Sequence, residues 1–83
     1  MKKIYILTKT NDNGDILFVK AYLAKKDAQK TMRQDYKDTK SYVKAVGSTV
    51  TNKNLTANNA WVESDFDRWC WWEINEDCLA LTV

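Results

Sequence analysis

The sequence predicts an α+β domain: an antiparallel sheet in the order β-β-α-β-β with one helix packed on one face. Three observations lead there. Two alternating apolar stretches flank an Asn-Gly turn near the start. A stripe at helical spacing follows in residues 24–46. Two more alternating stretches then close on Arg68-Trp69-Cys70-Trp71-Trp72-Glu73-Ile74-Asn75, the densest apolar segment of the chain. The 83 residues form a single domain, 1–83, near the size where one core is marginal but sufficient.

Residues 3–10 alternate, with Ile4, Ile6 and Thr8 to one side and Tyr5 and Leu7 to the other. Asn11-Asp12-Asn13-Gly14-Asp15 is turn chemistry, because Gly and Asn accept positive φ. In residues 16–23, Ile16, Phe18 and Tyr22 oppose Leu17, Val19 and Ala21, which completes a hairpin. Ala28, Met32, Tyr36, Thr39, Val43 and Val46 then recur at three- and four-residue steps and fall in one narrow helical stripe. No ideal N-cap precedes them, though Asp27 suits the dipole of the first turn. Gly47 is the expected stop. An earlier end near Thr39 is the alternative, since Thr39, Ser41, Tyr42 and Val43 weaken helix preference. The polar residues 48–59 read as a loop with a short strand at Val50 as the one exception. Residues 60–64 and 68–75 form the second hairpin across a turn at 65–67, and residues 79–83 suit a short extra C-terminal strand.

A three-residue loop at 65–67 pairs Ser64 with Arg68. Ala60, Val62, Cys70, Trp72 and Ile74 then share one face, and Trp61, Glu63, Trp69, Trp71 and Glu73 the other. A two-residue loop mixes the two sets. The first register is preferred because it yields a clean core face beneath the helix. It leaves the tryptophan face open, unless Tyr5 and Leu7 share it beneath some further cover.

Composition excludes several classes. The chain has no Pro and 2 Gly, which argues against low complexity and disorder. It has no His, so the usual neutral-pH base is missing. Cys70 and Cys78 lack CxxC spacing, so no metal site is expected. No catalytic motif and no cofactor-binding motif appear, and a non-enzyme is expected. No apolar run approaches the roughly 20 residues of a membrane span. The start, Met1-Lys2-Lys3-Ile4, is basic but then alternates, so no secretion signal is predicted. The expected location is the cytoplasm of a bacterial host cell, with both thiols reduced.

Net charge of +2 hides an asymmetry: 12 Lys/Arg against 5 Asp in residues 1–59, and one Arg against six acids in residues 60–83. Lys26, Lys30, Arg33, Lys37, Lys40 and Lys44 form a basic ridge opposite the helix stripe. It reads as a solvated face or, alternatively, as a track for phosphates, without base specificity. Asp27, Asp35 and Asp38 flank it and offset part of its self-repulsion. Trp61, Trp69 and Trp71, with Glu63, Asp65, Phe66 and Asp67 around them, are the second candidate. They read as core, as a homodimer contact or as a surface for a protein partner. Acids beside the indoles disfavour nucleic acid on this side. Asp65 and Asp67 have the chemistry for acid–base work or Mg²⁺. On a turn without His or a glycine loop they suit better an acidic tip that imitates phosphates.

The opening Lys3-Ile4-Tyr5-Ile6-Leu7-Thr8-Lys9-Thr10, the Asn13-Gly14-Asp15 turn, the segment Ala24-Lys25-Lys26-Asp27-Ala28 and the closing Trp72-Glu73-Ile74 together resemble small proteins of phages and mobile elements, many from gut Firmicutes. Some small anti-CRISPR proteins are similar in look. The resemblance spans about two-thirds of the chain. It implies a non-enzymatic inhibitor that sterically blocks a host defence protein or nucleoprotein. Joined to the residues, it makes the tryptophan face and the acidic tip the expected protein-binding site. A nucleic-acid-binding module using the lysine ridge is the alternative.

Overall fold

A computed structural model of the chain describes residues 2–65 and 69–79. It contains β1 (Lys2–Asn11), β2 (Ile16–Tyr22), α1 (Lys25–Ala45), β3 (Val50–Leu55), β4 (Asn59–Ser64) and β5 (Trp69–Leu79). The strands form one antiparallel sheet ordered β2-β1-β5-β4-β3, and α1 packs against it. The fold is the α+β class read from the sequence, with one strand more.

That strand is β3, drawn from the polar segment expected to be a loop. Only Val50 and Asn54 in it are even half-buried. As an edge strand it needs a partner on one side alone, and β4 supplies it. Pairing, not intrinsic preference, makes Val50-Thr51-Asn52-Lys53-Asn54-Leu55 extended. β5 runs to Leu79, and the short terminal strand expected at 79–83 falls largely on residues outside those described.

The β1–β2 turn is built on Asn11. Its side-chain oxygen accepts the backbone N–H of Asn13 at 3.0 Å and of Asp15 at 2.9 Å, while Gly14 takes φ +83°. Lys9 pairs with Phe18 but Thr10 with Ile16, so Leu17 is an extra, bulged residue. The bulge puts Ile16 on the face opposite Phe18 and Tyr22, against the simple alternation expected for that strand. At the far end of α1, Gly47 also has φ +83°. Its N–H donates to the Lys44 carbonyl at 3.1 Å and that of Ser48 to the Val43 carbonyl at 3.0 Å. This double closure satisfies the last carbonyls of the helix. It ends the helix where Gly47 predicts rather than near Thr39.

The β4–β5 register is the one preferred from the sequence: Ala60 opposes Trp72, Trp61 opposes Trp71, and Val62 opposes Cys70. Trp72 is fully buried, with Leu7, Ala28, Met32, Tyr36, Ala60, Val62 and Ile74 completing the core. Leu7 stands opposite Ile74 and Tyr5 opposite Glu76. Tyr5 and Leu7 therefore lie on the helix side and do not share the tryptophan face. Val46, expected in the buried stripe, is exposed, because it is the C-cap and the last turn has already closed.

A polar contact sits inside this apolar layer. Lys9 stands opposite Trp72 on the helix side of the sheet. The Lys9 ammonium meets Asp35 Oδ2 at 2.8 Å, and Trp72 Nε1–H donates to the same oxygen at 2.7 Å. Lys9 also donates to Thr39 Oγ1 at 3.3 Å and lies 5.2 Å from the Trp72 ring centroid. Asp35 thus serves the core. It does not relieve the lysine ridge, as its place in the sequence implied. Tyr36 meets Trp72 edge to face at 5.9 Å.

Trp72→Ala is expected to cost about 3–5 kcal/mol, the range for a large aromatic truncated in a core. Trp72→Phe keeps most of the packing but removes the donor to a charged acceptor, for about 1.5–3 kcal/mol. Urea unfolding of the two variants checks both the size and the order of these losses.

Candidate protein-interaction face

The face opposite α1 is set by β5 at the centre of the sheet. Because Trp72 and Ile74 point their positions to the helix, Trp71, Glu73, Asn75 and Asp77 fall on the other side. Trp61 and Glu63 join them from β4, and Ile4, Ile6, Thr8 and Thr10 from β1. No described helix or strand lies over this face. Trp61 and Trp71, directly opposite each other, are half-buried rather than open to water on all sides.

The β3–β4 turn holds this region in place. Asn59 and Thr56 close the turn through the Thr56 hydroxyl, which donates to the Asn59 carbonyl at 3.0 Å and accepts the Asn59 backbone N–H at 3.0 Å. The Asn58 carbonyl then accepts Ile74 N–H at 2.8 Å, tying the turn to β5. Gln29 of α1 donates to the Ala57 carbonyl at 3.1 Å, tying it to the helix. The result is a groove of about 540 Å³ on the open face, lined by Trp61, Trp71, Glu63, Glu73, Asn52 and Asn59.

Of the other residues expected at this site, Asp65 is not a free acidic tip. Its carboxylate accepts Thr49 N–H at 3.0 Å, and its own N–H donates to the Thr49 carbonyl at 3.1 Å. It fastens the end of β4 to the segment before β3. Phe66 and Asp67 lie outside the described residues, as does the side chain of Trp69, whose backbone pairs with Glu63. Asn52 and Asn59 line the groove, and sequence reading missed both because the polar segment holding Asn52 read as a loop.

The helix ridge divides. Lys26, Lys30, Arg33, Lys37 and Lys44 are exposed, whereas Lys40 is half-buried with its ammonium 4.5 Å from the Tyr36 ring centroid. Asp38 accepts from Gln34 at 3.0 Å. Among the described residues no group of three His, Cys, Asp or Glu is placed to hold a metal ion, and no helix is long and apolar enough to cross a membrane.

Cys70 borders a separate cavity of about 390 Å³ between the β1–β2 turn and α1, lined also by Asp12, Thr39, Tyr42 and Val62. Burial pushes its thiol above the ordinary value. Cys78 is exposed.

Comparison with protein-family models, curated proteins and solved structures gives no match.

The thiolate is the reacting form of cysteine. Iodoacetamide near neutral pH is therefore expected to modify Cys78 first, with Cys70 lagging until the chain is unfolded. Peptide mass mapping over time measures the two rates, and equal rates contradict the placement of Cys70.

Proposed function

We propose that this chain is a non-enzymatic binding protein that acts by covering a surface of a bacterial defence protein or nucleoprotein, as its resemblance to small anti-CRISPR proteins implies. One observation carries the reading. Trp61 and Trp71 stand side by side on the sheet face that α1 does not cover, in a groove with Glu63 and Glu73. As a cross-strand pair they contribute about 0.2–1 kcal/mol to the sheet, yet no described helix or strand covers their face. Paired aromatics within a polar rim are the composition of contact surfaces. The acids beside them repel phosphates, so a protein surface fits better than a nucleic acid strand.

The test uses Trp61→Ala and Trp71→Ala, made singly. Circular dichroism reports folding, ultracentrifugation reports mass, and survival of phage in bacteria carrying a CRISPR system reports inhibition. Both variants are expected to stay folded with unchanged mass. They should lose inhibition and about 2 kcal/mol or more of affinity for a partner captured from the bacterial lysate with the unaltered chain. Unfolding of both would place these tryptophans among the residues that hold the fold and end the reading.

The second reading, a nucleic-acid-binding module, draws on the five exposed cations of the α1 ridge, Lys26, Lys30, Arg33, Lys37 and Lys44. Replacing Lys30, Arg33 and Lys37 with Gln is then expected to weaken binding to any sequence alike and flatten the salt dependence. Gel shift at low salt with DNA and RNA measures it. No binding by the unaltered chain removes this reading.

A further inference from the structure

We propose, building on that reading of the open face, that the groove between Trp61 and Trp71 takes a cationic side chain, arginine above all, from a basic segment of the partner. The charge arrangement points there. Lys9 stands opposite Trp72, Lys20 opposite Leu7 and Lys53 opposite Val62, all on the helix side of the sheet. Lys3 is paired with Glu76 at 3.1 Å. Between residues 4–10, 16–22, 50–64 and 70–78, the strands place no Lys or Arg on the open face. The same face carries Glu63, Glu73 and Asp77. Asp35 and Glu76 have lysine partners, but Glu63 and Glu73 have no ion-pair partner among the described residues. Negative charge and indole are thus collected in one groove, while Lys9, Lys20 and Lys53 of the described strands stand on the other side of the sheet.

Each alternative occupant meets a specific obstacle. An apolar side chain would strip water from the half-buried Glu63 without replacing its hydrogen bonds. A phosphate would meet two carboxylates. A second copy docked face to face through a two-fold axis centred on the groove would bring Glu63 and Glu73 close to their own copies. A guanidinium meets both needs of the groove: it stacks on indole and donates to carboxylates from the edge of one plane. Lysine supplies the charge without the planar stacking, which places arginine first.

The experiment uses the full chain and a short capped peptide of alternating glycine and arginine. Controls are the same peptide with lysine and with citrulline, the neutral isostere of arginine. Nitrogen-15 NMR follows the indole N–H signals of Trp61 and Trp71. The arginine peptide is expected to move both, with the lysine peptide weaker. Citrulline, or the double change Glu63→Gln and Glu73→Gln, should weaken the response about tenfold or more. These Gln changes are isosteric and lie on the surface side of the sheet, so the fold is expected to persist, and the unchanged Trp72 indole signal checks it. Equal binding of citrulline, equal binding by the double Gln variant, or no response at the two indoles overturns the proposal. Self-association of the chain that Trp61→Ala abolishes also overturns it, in favour of a second copy. If the arginine peptide fails while Trp61→Ala and Trp71→Ala still abolish inhibition, the occupant is wrong and the face remains the contact surface. If both tryptophan variants inhibit normally, the reading of the face falls too.

Discussion

Asp35 holds the two layers of this protein together. One of its carboxylate oxygens takes both the Lys9 ammonium and the Trp72 indole N–H, so a single helix residue grips the central strand β5 and its neighbour β1 at once. The contact is part-buried, with the Lys9 side chain 15% and the Asp35 side chain 29% exposed. A charged pair in such a place is a weak source of net stability but a strong source of alignment, because any other placement leaves a charge or an indole donor unsatisfied. The Lys9 and Trp72 strand positions, the α1 turn carrying Asp35 and Thr39, and the helix crossing are thereby set relative to one another.

That alignment divides the sheet. With Trp72 committed to the helix side, strand alternation sends Trp71 to the other. The β4–β5 register brings Trp61 beside it. The same parity places every fully buried strand residue, Leu7, Ala60, Val62 and Trp72, under α1. The described residues hold one helix, and it covers one face. Its second face is therefore a consequence of how the first is closed, and the groove with Glu63 and Glu73 lies there.

Charge obeys the same division. Among the described residues the acid-rich last third of the chain meets the lysine-rich first two-thirds in one ion pair, Lys3 with Glu76, and Glu63 and Glu73 take no part in it. Lys3 and Lys9 of β1, Lys20 of β2 and Lys53 of β3 stand on the helix side, and the cations of α1 mostly face solvent beyond it. Two surfaces of opposite sign result, one ridged with lysine and one floored with indole and carboxylate. The second carries a directly opposed indole pair in its groove.

Much of this was legible in the sequence. Asn11 and Gly14 specify the first turn because few other residues accept its backbone. Gly47 specifies the helix end for the same reason. The spacing of Ala28, Met32 and Tyr36 specifies the buried side of α1, and the alternation through Trp72 and Ile74 specifies which residues of β5 go under it. These are local rules of period and conformation, and they need only near neighbours. The tertiary structure alone decided the rest. β1 pairs with β5 and makes it the central strand, a contact between the two ends of the sequence that no local pattern encodes. β3 is a strand because β4 lies beside it, not because Asn52 and Asn54 favour extension. Ile16 changes face through a bulge at Leu17. Asp35 turns from the lysine ridge to Lys9 and Trp72, and Asp65 turns to the Thr49 backbone. For β3, Asp35 and Asp65 a polar or β-poor residue takes its role from a partner distant in sequence, and the identity of such a partner is settled only when the layers meet.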